Sequence, residues 1–332
     1  MTSSLEFVRK IQNESSKDAW HSILSYAWNF CSQPVSRTNP ASEIIKRDRA
    51  VGNIDHYLAT AGWDLWSTYE QSVPQTSNAL INWWNDHDTG RGVLILDAFS
   101  LREVPWLLQQ AKERGFTIHK AGPVCAELPA DTTPFAKALG FNQRSSLANN
   151  GGGSAHHLPG AVTESTDMEW SACADLIGSE PDWVFWHHFP DHRLHHHDAA
   201  GKGISSLVDE IKFHFTGDSF WSLIHRLTQG RRVIITSDHG YAASGLFPDA
   251  NKQQSDYLKK QFKSGRWHNN EMDTGSWWVP PIDLEIESRH GAYGYVNGRR
   301  KWKSAGGYPT LTHGGLTVLE IAVPYIEISR SN

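Results

Sequence analysis

The stretch Arg231-Arg232-Val233-Ile234-Ile235-Thr236-Ser237-Asp238-His239-Gly240-Tyr241 constrains this chain more than any other. Four apolar or β-branched residues in a row, bounded by charge before and glycine after, predict a buried parallel strand. The Asp-His pair falls where that strand ends, and open α/β sheets gather ligands at the carboxyl ends of their strands. Asp238 offers a hard oxygen and His239 an imidazole nitrogen, a mixed pair that suits zinc or manganese better than magnesium or calcium. An ordinary strand-to-turn junction reads the same way, so the weight falls on whether the rest of the chain supplies further ligands.

Similar signals recur. Residues 93–97, Val-Leu-Ile-Leu-Asp, form a second aliphatic run ending in a carboxylate, Asp97. A helix is expected from Ser100 or Leu101 to Arg114, with Ser100 capping it and Gly115 closing it, and a strand over 116–121. The loop Leu128-Pro129-Ala130-Asp131-Thr132-Thr133-Pro134 precedes a helix expected over 135–139. A threonine hydroxyl just before a helix meets unpaired N–H groups and the positive dipole end, where an anion or alkoxide is stabilised; an N-cap is the alternative. A third strand, 183–186, runs into the histidine-rich segment 187–197, in which Asp191 and His195 stand four apart and can meet at one ion. The neighbouring His188, His192, His196 and His197 leave the choice of ligand open. His313, before two glycines, presents one more imidazole, and a strand over 321–328 ends the pattern.

Residues 1–88 read as a helical region whose tryptophans recur at helical intervals, suited to packing or to docking a partner. A glycine-rich loop over 149–160 is expected to be exposed and mobile, and it lacks the lysine and hydroxyl of a P-loop. Residues 205–229 read as one long amphipathic helix. Polar, aromatic and basic residues over about 242–309 suggest a cap inserted into a unit spanning 89–330, with a hairpin from 282–286 and 293–297. The formal net charge of -5 argues against a broadly basic nucleic-acid binder. No apolar run approaches the roughly 18 residues that span a bilayer, and the N-terminus lacks a secretory core, so no membrane association and a cytoplasmic location are the expectation. The three cysteines are scattered and odd in number, as reduced buried thiols are.

Taken together, four segments resemble the alkaline phosphatase superfamily and, within it, the PglZ-domain family: the run ending in Asp97, Leu-Pro-Ala-Asp-Thr-Thr-Pro, Ile-Thr-Ser-Asp-His-Gly-Tyr, and Thr-His-Gly-Gly-Leu-Thr-Val-Leu-Glu-Ile-Ala-Val-Pro. The resemblance covers about residues 93–328. It implies an α/β fold with a mostly parallel central sheet flanked by helices, and two divalent ions, zinc before manganese. One ion would be held by Asp97, Asp238, His239 and the Thr132 oxygen, the other by Asp191, His195 and His313. Thr132 would be the nucleophile, ahead of Thr133 and Ser100, and arginines or lysines of the cap would bind flanking phosphates. The implied activity is a metal-dependent phosphodiesterase acting on a nucleotide or oligonucleotide in BREX-type anti-phage defence, with a partner docked on the N-terminal helices. A phosphomonoesterase and a catalytically silent defence scaffold are the alternatives. No motif for the formylglycine of a sulfatase is present.

Overall fold

The structure is a computed structural model that describes residues 4–36, 38–197, 203–247, 250–269, 278–304 and 310–330. The N-terminal region is helical: α1 (Ser4–Gln12), α2 (Ser16–Cys31), α3 (Pro40–Thr60), α4 (Tyr69–Ser72) and α5 (Thr76–Asn85). Ser15 starts α2 by accepting the Asp18 N–H, and Asn39 starts α3 by accepting the Ser42 N–H, with Pro40 in the first turn where its missing N–H costs nothing. The tryptophans of this region pack inward, Trp20 against Trp66 and Tyr69 with ring centroids 4.9 and 5.3 Å apart.

Strands and helices then alternate: β1 (Arg91–Leu96), α6 (Val104–Glu113), β2 (Phe116–Cys125), α7 (Thr132–Ala138), β3 (Val162–Thr166), α8 (Trp170–Leu176), β4 (Trp183–His187), α9 (Asp191–His197), α10 (Gly203–Thr216), α11 (Asp218–Leu227) and β5 (Arg232–Thr236). The chain closes with β6 (Ala242–Ala243), α12 (Lys252–Phe262), β7 (Trp267–His268), β8 (Asp283–Ser288), β9 (Gly291–Val296), β10 (Leu311–Thr312), α13 (Val318–Ile321) and β11 (Ala322–Arg330). Six strands make the central sheet in the order β2-β11-β5-β1-β4-β3. The pairs β3/β4, β4/β1 and β1/β5 are parallel, and β11 runs antiparallel to both β5 and β2. This is an α/β fold with a mixed, mostly parallel sheet flanked by helices.

Both faces of the sheet are dry. Leu94 and Leu96 join a core with α2, α3, α6, α10 and α11, whereas Val93 and Ile95 join a smaller one with Trp84, Phe135 and Leu147. Because side chains alternate across a strand, a run apolar at every position must be covered on both sides. The parallel arrangement points the carboxyl ends of β1, β4 and β5 the same way, which brings residues 97, 187–191 and 237–239 to one rim.

The margins of the sheet are guarded. On β3, the Thr163 N–H donates to Asn150 Oδ1 at 3.2 Å. On β2, the Cys125 N–H donates to the Pro74 carbonyl at 2.9 Å, Pro123 on the same side has no N–H to offer, and the register shift opposite Glu327/Ile328 makes His119 an extra residue.

Several expected boundaries move. The helix expected over 205–229 is two, α10 and α11, divided at Gly217, whose backbone is extended (φ -78°, ψ 146°). The apolar pattern continues across the break because Trp221 folds back and donates its indole N–H to the Phe215 carbonyl that the helix end leaves free, at 2.7 Å. Helix α6 starts at Val104, with Pro105 in its first turn, so Ser100 is not its cap. Helix α7 starts at Thr132 itself rather than at Phe135. Nor is the glycine-rich loop a free excursion: His156 is 5% exposed and stacks on Phe141 at 4.7 Å, and Leu158 is buried. Within 242–309, β8 and β9 pair as a hairpin and β7 adds to β9, over a small core of Tyr257, Leu258, Phe262, Ile282, Val296 and Trp302. Residues 1–3, 248–249, 270–277 and 305–309 of the expected N-terminal region and cap lie outside the described residues. No described helix is long and apolar enough to cross a membrane, and Cys31, Cys125 and Cys173 are buried and unbridged.

The N-terminal helices are tied to the sheet by buried charge. Asp48 of α3 accepts from Arg102 Nε at 2.8 Å and from Arg299 Nη1, and Asp55 accepts from Arg299 Nε and the Val318 N–H, both at 2.6 Å. Replacing Asp48 by alanine leaves the buried Arg102 without a carboxylate and Arg299 with Asp55 alone, and is expected to lower unfolding free energy by about 3–5 kcal/mol, read by urea titration; a loss below about 1 kcal/mol, the value of a surface pair, would show that the network contributes little.

Candidate metal and hydrolytic site

Three strand ends build the floor of the site. Asp97 follows β1 and is wholly buried; its backbone N–H donates to the His187 carbonyl, and its carbonyl accepts the Asp191 N–H, both at 3.0 Å. Asp238 and His239 follow β5, and Asp238 Oδ1 accepts the Ala98 N–H at 3.1 Å, which joins the two strand ends directly. Gly240 follows because nothing larger fits: a Cβ there would lie 2.2 Å from the Leu319 carbonyl oxygen. The ribbon of β6 with β10 pairs Thr312 with Ala242, and so carries His313 back beside His239, the two rings stacking at 4.2 Å. Gly314 has φ +98° and lies under the Trp267 ring, where a Cβ would be 2.5 Å from Cδ1, so this glycine has a packing role.

Thr132 stands at the first position of α7 and donates its hydroxyl to Asp238 Oδ2 at 2.9 Å, with both oxygens of Asp97 at 3.4 Å. His239 Nε2 lies 3.5 Å from Asp97 Oδ1 and 3.4 Å from Asp238 Oδ2. Its Nδ1 faces the Gly240 carbonyl at 2.9 Å, and since a carbonyl only accepts, Nδ1 carries a proton and Nε2 is the nitrogen turned toward the carboxylates. Asp191 Oδ1 lies 3.6 Å from His313 Nε2 and equally 3.6 Å from His195 Nε2. Asp131, just before Thr132, stands 3.9 Å from His313 Nδ1 and accepts the Trp267 indole N–H at 3.0 Å, which couples the three-stranded sheet of 242–309 to this wall.

The electrostatics are those of a cation pocket. Burial, and then the facing carboxylates of Asp238 and Asp191, hold the Asp97 pKa well above the carboxylate range. Burial alone would depress His239, but Asp238, Asp97 and Asp191 outweigh it and hold the ring at about 9. Burial and the neighbouring His239 push His313 down. Burial would raise Asp131, and the nearby His313 and His239 bring it below its usual value. Two groups have ligand atoms within 4.8 Å of one another among the described residues: Asp97, Asp238 and His239, and Asp191, His239 and His313. Ligand atoms bonded tetrahedrally to zinc are separated by ~3.3 Å, close to the spacings of Thr132, Asp97, Asp238 and His239. His239 Nε2 and Asp191 Oδ1 are buried with no hydrogen-bond partner, a costly state unless a cation satisfies them. The residues present therefore fit divalent metal.

His239 thus belongs to both groups, whereas the expectation set His195 with Asp191 and His313; His195 lies within reach of Asp191, and its side chain is 55% exposed. The other candidates of 187–197 turn elsewhere. His187 stacks on Trp170 and meets the Met168 carbonyl, His188 bonds Ser165 Oγ at 3.1 Å, His192 Nδ1 meets the His188 carbonyl at 3.2 Å, and His197 pairs with Glu210. Thr133 is exposed, and buried Ser100 accepts from Arg102 Nη1 at 2.9 Å. Three of the cap arginines are engaged elsewhere: Arg266 with Glu320, Arg299 with Asp48 and Asp55, and Arg289 with Glu70. The cation at the site comes instead from the turn after α7: Arg144 Nη1 meets Asp97 Oδ2. Nothing in the sequence around Arg144 distinguishes it from a surface arginine, whereas Asp131 was at least adjacent to a flagged residue.

No family model and no curated protein sequence matches the chain. Among solved structures the chain is similar to murine ectonucleotide pyrophosphatase/phosphodiesterase 5, with a TM-score of 0.45 and 13% identity. An inactive form of the same murine protein in complex with AMP gives a TM-score of 0.46 at 12% identity. Each match covers 74% of this chain and 88% of the murine one.

Substituting Gly240 by alanine is expected to displace the Asp238–His239 turn from Leu319 and to destabilise the fold by about 1–3 kcal/mol, measured by denaturant titration; an unchanged midpoint would show that the turn has slack.

Proposed function

We propose that this protein is a metal-dependent phosphodiesterase in which Thr132 is the nucleophile and the substrate is a nucleotide or oligonucleotide diester. The observation that carries the reading is the position of the Thr132 hydroxyl, 2.9 Å from Asp238 and 3.4 Å from Asp97, two wholly buried carboxylates that form a cation-sized group with His239. Asp97, Asp238, His239 and Thr132 would hold one ion, and Asp191, His313 and His195 the other, with His239 able to lean toward either. Zinc suits the mixture of carboxylate and imidazole best, and manganese next. Bound there, a pair of divalent ions lowers the pKa of a hydroxyl or water and neutralises phosphoryl oxygens.

The chain's own residues supply the rest. Asp238 orients Thr132 Oγ by accepting its hydrogen bond. Attack forms the Thr132 Oγ–P bond while the bond from phosphorus to the leaving alkoxide breaks; water then cleaves the phosphothreonine, releasing a monoester and restoring the hydroxyl. Asp131 and the stacked pair His239 and His313 hold the rim in place. On this reading the protein acts in anti-phage defence, the role that the resemblance to PglZ-domain proteins implies, and the N-terminal helices are the face offered to a partner.

Purified protein supplied with zinc or manganese is expected to hydrolyse bis-p-nitrophenyl phosphate faster than p-nitrophenyl phosphate. Thr132→Ala and Asp238→Ala should each lower the diester rate by on the order of 10³-fold or more, and EDTA should abolish it until metal is returned. Full activity in both variants, or in the chelated protein, sinks the mechanism; faster turnover of the monoester makes the protein a phosphomonoesterase instead.

A further inference from the structure

Arg144 is placed with unusual care for a half-exposed side chain. Its turn, Arg144–Asn150, starts with a capping box between Gln143 and Ser146. Leu147 of the same turn is wholly buried beside Phe135 and Trp186, and its carbonyl accepts the Thr163 hydroxyl at 2.9 Å. The turn is thus pinned to β3 and to the core under α7, the helix that carries Thr132. From it the guanidinium reaches Asp97 Oδ2, the oxygen that also lies 3.4 Å from Thr132 Oγ1. One carboxylate oxygen therefore separates the guanidinium from the nucleophile. Nη1 makes that contact, and among the described residues Nε and Nη2 have no hydrogen-bond partner.

The geometry points to Arg144 as the residue that holds a non-bridging oxygen of a singly charged phosphodiester and sets the preference for that charge. The inference rests on the hydrolytic reading above and deepens it. Four carboxylates surround the site, those of Asp97, Asp131, Asp191 and Asp238. Two divalent cations held there would balance them, imidazoles that ligate a cation are neutral, and Arg144 would then leave one positive charge. That surplus matches the single charge of a diester and falls one short of a dianionic monoester. A guanidinium is also the side chain whose fork can bridge a carboxylate oxygen and a phosphoryl oxygen together.

The test compares wild-type protein, Arg144→Ala, Arg144→Gln and Arg144→Lys, each with its metal content measured. In Arg144→Ala, and equally in Arg144→Gln, KM for bis-p-nitrophenyl phosphate is expected to rise on the order of 10- to 100-fold at unchanged metal content, with Arg144→Lys in between. Calorimetric titration of the same diester into Thr132→Ala, with and without Arg144→Ala, should show the same loss of affinity in the absence of turnover. An unchanged KM and binding constant, or loss of metal from the variants, would overturn the inference, the second because Arg144 would then serve only to hold Asp97. If wild-type protein hydrolyses no phosphate ester while Thr132→Ala binds the diester through Arg144, the inference stands and the hydrolytic reading falls; turnover with Arg144→Ala indistinguishable from wild type gives the reverse.

Discussion

A single buried carboxylate, Asp48, holds the molecule's parts in register. It sits in the middle of a long N-terminal helix and receives guanidinium groups from two distant places: Arg102, just after the first strand of the sheet, and Arg299, just after the hairpin. Burial raises the energy of its charge, and the two arginines more than compensate, leaving its pKa below the ordinary value. Arg102 continues inward to the Tyr241 carbonyl, three residues past Asp238, and stacks over the Tyr241 ring at 4.3 Å. Tyr241 in turn donates to Glu103 at 2.6 Å. The helical region is therefore part of the frame that fixes the strand end of Asp238 and His239. A buried network of this kind adds specificity of arrangement more reliably than net stability.

The candidate site solves the opposite problem. Asp97 and Asp238 are gathered where water cannot reach them, with Asp191 and Asp131 at the margin, and the protein offers few positive groups to satisfy them. Parallel strands bring their ends together without regard to charge, and the apolar faces on either side forbid the acids from turning out to solvent. Thr132, Arg144, His239 and the Ala98 N–H soften the repulsion from within the chain. A cation that filled such a cluster would relieve the repulsion and stabilise the fold.

How much of this was legible in the sequence follows from the range of the interactions. Strands β1, β4 and β5 could be read because burial on both faces leaves an uninterrupted apolar run; Asp97 and Asp238 could be read because they stand at the ends of such runs, and Asp191 from its spacing to His195. The division of α10 from α11 was missed because the apolar spacing resumes on both sides of Thr216-Gly217-Asp218-Ser219, a polar break short enough to pass for one helix turn. Strand β3 was missed because Val162–Thr166 is short and polar at alternate positions, as a margin strand beside a covering loop is. Arg266 and Arg299 read as free surface cations for the same reason that Arg144 went unseen: the acids or ligands that an arginine faces lie tens of residues away in the chain, and composition carries no trace of them.

The guarded margin at β2 has a consequence for how the protein behaves when concentrated. A sheet edge without protection is a template on which a second chain can lay a strand, the first step of domain exchange and of fibril growth. Here the proline, the extra histidine and the lysine beside it interrupt the edge within five residues, and the loop over β3 occupies the opposite margin. Assembly with other molecules, itself or a partner, is thereby steered away from strand addition and onto side-chain surfaces, where recognition is set by shape and charge and can be reversed.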